Sequence, residues 1–229
     1  MKPKHMIAVK KDLREKNLAA ARAFREQMTE RATLVVRLVS SPGSGKTSLL
    51  EATLRRLASP KRVSVLVGDV ETDRDGRRLA PLASTRQITT GGACHLEFPL
   101  VADAYAELPH QTLDYLFIED IGNLICPASH DLGEHLRIVL HSVTEGDDKP
   151  GKYPKMFRTS DAVVISKIDL LPHVPFSIAD AIDDAQQVQP DLAFLPLSAA
   201  TGQGLEPWLD YLTNEHSKLQ SQVFQASER

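Results

Sequence analysis

The sequence constrains its fold most sharply between residues 33 and 57. Thr33 to Val39 is a β-branched, aliphatic run, Ser40-Ser41-Pro42-Gly43-Ser44-Gly45-Lys46-Thr47-Ser48 follows it, and Leu50, Leu54 and Leu57 then recur at helical spacing until Pro60. A buried strand that turns through glycines into a helix makes a cradle for phosphate. Gly43 and Gly45 let backbone amides approach an anion, with Ser44 between them. Lys46 brings positive charge to the outer phosphates, and Thr47 offers a hydroxyl to Mg2+ beside Ser48. The run fits the phosphate-loop pattern except that Ser40 stands where the first glycine is usual.

Further strand-like runs lie at Val63 to Val67, Leu113 to Ile118, Ala162 to Ile165 and Ala193 to Leu197, with another at Leu136 to Val143. Helix-length segments separate most of them, and several are too uniformly apolar to have one wet face. The expected fold class is therefore α/β, doubly wound, with a mainly parallel sheet of about six to seven strands. Val9, Leu13, Ala20, Phe24 and Met28 form an amphipathic stripe ahead of it. With 229 residues, 42% of them hydrophobic, the chain suits one enlarged domain. The expected divisions are a helical extension at 1–30, a nucleotide-binding domain at 31–215 and a tail at 216–229. Thr144 to Tyr153 is polar enough to read as a mobile loop.

Sheets of this kind bind ligands at the carboxyl ends of their strands. Gly68-Asp69, Glu119-Asp120 and Ser166-Lys167-Ile168-Asp169 fall there. Asp69, Glu119 and Asp75, the last in an acidic loop, are unranked candidates for Mg2+, and each singly also suits a helix cap or solvated turn. Asp169 can accept two hydrogen bonds from guanine N1 and N2, a pair of donors that adenine lacks, so GTP is favoured over ATP. Lys167 would lay its stem along the base, and Ser198-Ala199 would present backbone groups to the guanine carbonyl.

The two cysteines are Cys94, followed by His95, and Cys126. Thiolate and imidazole suit Zn2+ or Ni2+. Three ligands do not close a four-coordinate site, whereas a twofold dimer would supply a second set. Free cysteines also serve as small buried hydrophobes, and spacing by itself leaves that alternative open. His110, His130, His135, His141, His173 and His216 stand singly and read as surface or packing residues. A formal net charge of −3 excludes a basic nucleic-acid coat and gives no pull toward anionic lipid. No apolar run approaches the ~18 residues of a membrane span and no export signal is visible, which together predict a cytoplasmic protein.

SSPGSGKTSLLE (40–51), GDVETDRD (68–75), QITTGGACHLE (87–97), IEDIGNLICP (118–127), SVTEGDDKPGKYP (142–154), SKIDLLP (166–172) and PLSAATGQGL (196–205) together resemble the HypB hydrogenase nickel-incorporation GTPases, within the SIMIBI group of dimerising P-loop GTPases. In that family serine at the Ser40 position is usual. The resemblance implies GTP-dependent nickel delivery during maturation of nickel–iron hydrogenases. It implies a homodimer whose interface binds nickel or zinc through Cys94, His95 and Cys126. A companion maturation protein and the hydrogenase large-subunit precursor would be the partners, with Lys46, Asp75 and Glu119 in the catalytic machinery. Two features depart from the family: Ser166 replaces the usual asparagine of the guanine motif, and Met1 to Met28 lacks the cysteine or histidine tract of nickel-storing members. No glutamine or arginine is assigned to position water, so hydrolysis is expected to be slow. A urease-accessory GTPase would carry Cys-Pro-His where Cys126-Pro127-Ala128 stands; a metal carrier with a weak nucleotide pocket is a second alternative, and a P-loop kinase, disfavoured by the guanine-type motif, a third.

Overall fold

The computed structural model describes residues 3–57, 62–109 and 112–227, with side chains from Asp12 to Gln225. Pro60, His110 and the side chain of Val9 lie outside the described residues. Seven strands, β1 (Leu34–Ser40), β2 (Val63–Asp69), β3 (Ser84–Thr89), β4 (Tyr115–Glu119), β5 (Leu136–Ser142), β6 (Ala162–Ser166) and β7 (Ala193–Leu197), form one sheet in the order β3-β2-β4-β1-β5-β6-β7. Every pairing is parallel, from Ser64 opposite Ser84 at one edge to Ala162 opposite Ala193 at the other. This is the doubly wound α/β arrangement expected from the spacing of apolar runs. The exception is β3, an edge strand of sequence Ser-Thr-Arg-Gln-Ile-Thr whose side chains are mostly half-exposed, so its hydropathy carries no strand signal.

The helices are α1 (Pro3–Glu30), α2 (Lys46–Leu57), α3 (Arg74–Leu79), α4 (Phe98–Ala106), α5 (Lys149–Lys152), α6 (Pro154–Arg158), α7 (Ile178–Val188) and α8 (Leu205–Ser227). Three expectations change. The face that α1 buries is Ala21, Phe24 and Met28; Leu13 is 55% exposed and Ala20 is also exposed. Phe24 lies against the rings of Phe98 and Tyr105 at 5.5 and 5.1 Å, which fixes α1 on α4. Position 216 lies inside α8, where His216 bonds the Ala32 carbonyl at 2.9 Å and Leu219 is buried, so the helix stays docked on the core beyond the expected tail boundary. Finally, 144–153 is folded back on its strand rather than loose: His141 Nε2 bonds the Gly146 carbonyl at 2.8 Å and Lys149 pairs with Glu145 at 2.6 Å.

Side chains alternate along β1, as the pleat requires. Leu34, Val36 and Leu38 join the apolar layer beneath α2 and α8. On the other face Val35 joins an apolar layer with α1 and α4, and Val39 joins a separate one with Met156, Phe157 and Ala185. Arg37 sits between those two layers with a fully buried side chain. Its Nε and Nη2 both donate to Asp120 Oδ2, Nη2 also to Pro127 O at 3.2 Å, and Nη1 to Glu134 Oε1 at 3.1 Å and His130 O at 2.5 Å. All five donors of the guanidinium are engaged. Arg137 completes this charged cluster, reaching Glu134 Oε1 from Nη2 at 2.6 Å. Burial pushes the Glu134 carboxyl upward, but Arg37 and Arg137 outweigh it and hold the group at about 2.

Removing Arg37 leaves Asp120 buried without its partner and Glu134 with one cation instead of two. Arg37→Met is therefore expected to cost about 3–5 kcal/mol in urea unfolding. A second prediction concerns His135, which accepts the Val35 N–H at Nδ1 (2.9 Å) and meets Thr29 Oγ1 at Nε2 (3.0 Å). Burial, aided by Arg25, lowers it to about 4. A depressed imidazole contributes stability that is complete above its unfolded value of ~6.5 and is lost as pH falls toward ~4. His135→Asn keeps an acceptor for Val35 and cannot protonate, so its melting temperature should fall less steeply than wild type between pH 6.5 and 5.

Candidate functional site

The loop between β1 and α2 turns through Gly43 and Gly45 with φ of +74° and +97°, backbone that favours glycine. Lys46 and Thr47 open α2, both buried. Lys46 Nζ donates to Ser40 Oγ at 2.9 Å, so the serine in place of the first glycine parks the lysine. Thr47 Oγ1 donates to Glu119 Oε1 at 2.7 Å. Burial lowers Lys46 and pushes Glu119 up to about 7 despite Lys46 and Thr47 beside it. Glu119 Oε2 is buried without a hydrogen-bond partner, while Oε1 takes the Thr47 hydroxyl. An orphaned carboxylate oxygen next to a threonine hydroxyl is a donor set that fits Mg2+.

A cavity of about 450 Å3 opens here, bordered by Gly45, Lys46, Thr47, Asp69, Asp75 and Glu119. The three acidic candidates separate on geometry. Asp69 Oδ1 accepts the Glu71 and Thr72 amides at 2.9 and 2.6 Å, and these outweigh burial to lower its carboxyl. Asp75 lies in the first turn of α3, 3.7 Å from Arg78 Nη1. Arg78 also lines the cavity, held by Glu51 at 2.9 Å, and was not singled out from sequence.

A neighbouring cavity of about 240 Å3 shares Gly45 and Ser48 with the first and is lined by Lys167, Asp169, Ser198 and Ala199. Asp169 Oδ1 is buried with no partner, as a carboxylate awaiting two N–H donors should be. Lys167 adopts φ +62° and its Nζ caps Gly43 O at 2.6 Å. Ser166, the departure from the guanine pattern, donates to Ser44 O at 2.8 Å and so braces the phosphate loop from below. Ser44 Oγ in turn donates to Glu145 Oε1 at 2.7 Å, and Lys149 bonds Ser41 Oγ. That bracing by the 144–153 segment had no sequence signal.

Cys94 and Cys126, 32 positions apart, meet with their sulfurs 3.2 Å from each other. Cys94 Sγ is 3.8 Å from His95 Nδ1, and Asn123 Nδ2 donates to Cys94 O at 3.1 Å. Cys94 is exposed and Cys126 half-buried, so the reading of these cysteines as buried hydrophobes does not hold. The Cys126 thiol pushes Cys94 upward, a bias that a cation between two thiolates reverses. Leu96, fully buried, fastens the loop to the core, and a Cβ on Gly68 would come within 2.8 Å of it. The expectation that the other six histidines stand alone fails for His130, which stacks on His95 with ring centroids 4.0 Å apart.

One segment joins the two sites. Glu119 meets Thr47, Asp120 meets Arg37, Gly122 lies against Pro42, Asn123 holds the Cys94 carbonyl, and Cys126 completes the thiol pair. Among the described residues no helix is long and apolar enough to cross a membrane.

A glycine loop between a buried strand and a helix, in an all-parallel sheet with an unpaired aspartate at the base pocket, defines a P-loop nucleotide-binding protein of the guanine-reading kind. The CobW/HypB/UreG nucleotide-binding domain matches residues 34–196. The chain is also 41% identical over 216 residues to the hydrogenase maturation factor HypB of Escherichia coli K12, covering 94% of this chain and 74% of that one. It belongs to the HypB family of P-loop GTPases. The hydrogenase/urease maturation factor HypB of Helicobacter hepaticus is 40% identical over 222 residues, covering 94% and 90%. The crystal structure of HypB from Helicobacter pylori in complex with nickel superposes with a TM-score of 0.82 at 37% identity, covering 89% of this chain and 96% of that one. FtsY of Mycoplasma mycoides, 13% identical with a TM-score of 0.52, shares the fold.

A Cβ at Gly122 would lie 2.9 Å from the backbone of Pro42. Gly122→Ala is expected to displace the phosphate loop at an overpacking cost of about 1–3 kcal/mol, read as a roughly tenfold weaker binding of a fluorescent GTP analogue. Unchanged affinity would mean that the contact is slack.

Proposed function

We propose that this chain is a GTP-hydrolysing metallochaperone which couples nucleotide occupancy to nickel delivery for a nickel–iron hydrogenase precursor. The observation that carries the reading is the 119–126 segment, with the Thr47–Glu119 bond at one end and the Cys94–Cys126 pair at 3.2 Å at the other. Family membership supplies the client class, and the nickel-bound relative supports the cargo.

Lys46 leaves Ser40 for the outer phosphates when GTP enters. Thr47 and Glu119 would hold Mg2+, with Asp69 and Asp75 nearby, and the ion would supply neutralisation of the charge that develops on the phosphates. Asp169 accepts the N1 and N2 hydrogens of guanine, Lys167 covers the base, and Ser198-Ala199 meet its carbonyl. Nickel, the cargo, is held by Cys94, His95 and Cys126, and zinc fits the same donors. Because three ligands leave the site open, two copies meeting at this surface close it, and GTP promotes that homodimer through the shared segment. A companion maturation protein and the hydrogenase large-subunit precursor are the partners, and the setting is the cytoplasm. Hydrolysis is slow, since the residues lining the phosphate cavity include Arg78 tied to Glu51 but no glutamine to orient water.

Nickel affinity and solution mass measured with and without GTP test the reading. GTP should raise the dimer fraction and change nickel affinity by at least about fivefold, the low end of ordinary coupling, and Lys46→Ala should abolish both responses. If Lys46→Ala removes GTP binding yet leaves dimerisation, nickel affinity and delivery untouched, the switch reading fails.

A further inference from the structure

The His95 ring has neighbours on two edges. Its Nδ1 lies 3.8 Å from Cys94 Sγ, and its Nε2 lies 3.7 Å from Glu97 Oε1. His130 stacks against the same ring at 4.0 Å with 29° between the planes. The ring of His130 is oriented by a bond between Nδ1 and the Cys126 carbonyl at 2.9 Å. A carbonyl only accepts, so Nδ1 carries the hydrogen and Nε2 keeps its lone pair, the tautomer a metal-binding histidine needs. The backbone beneath is rigid: His130 O receives Arg37 Nη1 at 2.5 Å and Arg137 Nη2 at 3.0 Å. Glu97 is held from α1 by Asn17, whose Nδ2 is 3.4 Å from Oε2.

One donor atom each from His95, Glu97 and His130 fall within 4.8 Å of one another. Ligand distances of about 2 Å then need only side-chain rotation, and Glu97 is exposed while both histidines are half-buried. A groove of about 320 Å3 between α1 and this cluster, lined by Leu13, Leu18, Glu97, Phe98 and His130, provides access. The geometry points to a second divalent-metal position, formed by His95, Glu97 and His130 beside the thiol pair, which takes Ni2+, Zn2+ or Co2+ through nitrogen and oxygen. Its donors are harder than thiolate, so it binds more weakly and exchanges faster. A neutral imidazole has one lone pair, and His95 therefore serves one position at a time. By turning its ring it offers an ion a way from the cysteines to the face bordered by α1. No electron is transferred; the ion trades two sulfur ligands for a carboxylate and an imidazole, and the thiolates regain protons from water.

The cargo assignment rests on the metallochaperone reading, whereas the ligand set does not. Co2+ and Ni2+ titrations of the full chain, followed by thiolate-to-metal charge-transfer absorption and by total bound metal, test both separately. Wild type should fill a charge-transfer site first and, with His95 engaged there, bind further metal only weakly through Glu97 and His130, without growth of that band. His130→Ala should keep the band and lose the further binding. Cys94→Ser/Cys126→Ser should lose the band and retain a weaker site, which His130→Ala or the exposed change Glu97→Gln then weakens at least about tenfold. Equal metal binding with and without His130 in the cysteine-free background overturns the second position. An absent charge-transfer band in wild type would instead overturn the thiolate site and the nickel-carrier reading, leaving the nitrogen–oxygen position to be judged by the cysteine-free variants.

Discussion

Much of this molecule depends on a buried guanidinium. Arg37 stands mid-strand at the centre of the sheet, where an uncompensated charge would be prohibitive, and is sustained by two carboxylates and two backbone carbonyls. Burial would lower its pKa, yet Asp120 and Glu134 more than offset that, so it stays ionised. The charged cluster divides the sheet face into two apolar layers, one under α1 and α4 and one under α6 and α7. It also fixes the course of the chain after β4, because Pro127 and His130 each give it a carbonyl.

That placement explains how two unlike sites come to lie side by side. Glu119 ends β4 in the phosphate cavity, and the next residue, Asp120, is pinned to Arg37. The chain then passes Pro42 at Gly122, where no side chain fits, and reaches Cys126 before the short 3-10 helix Pro127–Ser129. In the proposed coupling, this is the route by which a displacement at Glu119 would reach the cysteines. Close-packed elements with few alternatives transmit such shifts as a change between discrete arrangements. Leu96 does the same from the other side, carrying the Cys94-His95 loop on the core.

Local pattern made most of the fold legible. The apolar runs of β1, β2, β4, β5, β6 and β7 marked six strands, and their ends carried Asp69, Glu119 and Asp169 to the carboxyl edge. β3 escaped because an edge strand with a wet face does not look apolar. In the α1 stripe Phe24 and Met28 face the core as expected, and Ala21 does so in place of Ala20, because within the run Ala19-Ala20-Ala21 neighbouring alanines are indistinguishable until a partner surface is known. Arg37, inside Leu-Val-Val-Arg-Leu-Val-Ser, gives no signal of its partners, because the run reads as apolar and Asp120 lies 83 positions away. His130 carried no pattern at all, since its meaning lies in a stack with His95, 35 positions away.

By itself the sequence determined six of the seven strands, their parallel winding and the chemistry offered at each strand end. Those follow from short-range periodicity, from glycine's freedom at positive φ and from which side chains can ligate a phosphate, a base or a metal. Tertiary structure alone decided which groups meet: Glu119 with Thr47, Ser166 under the phosphate loop, and two cysteines sulfur to sulfur. The physical reason is that proximity across 30 or more residues is set by how sheet and helices fit together, and that fit is a property of the whole core that no local run of residues contains.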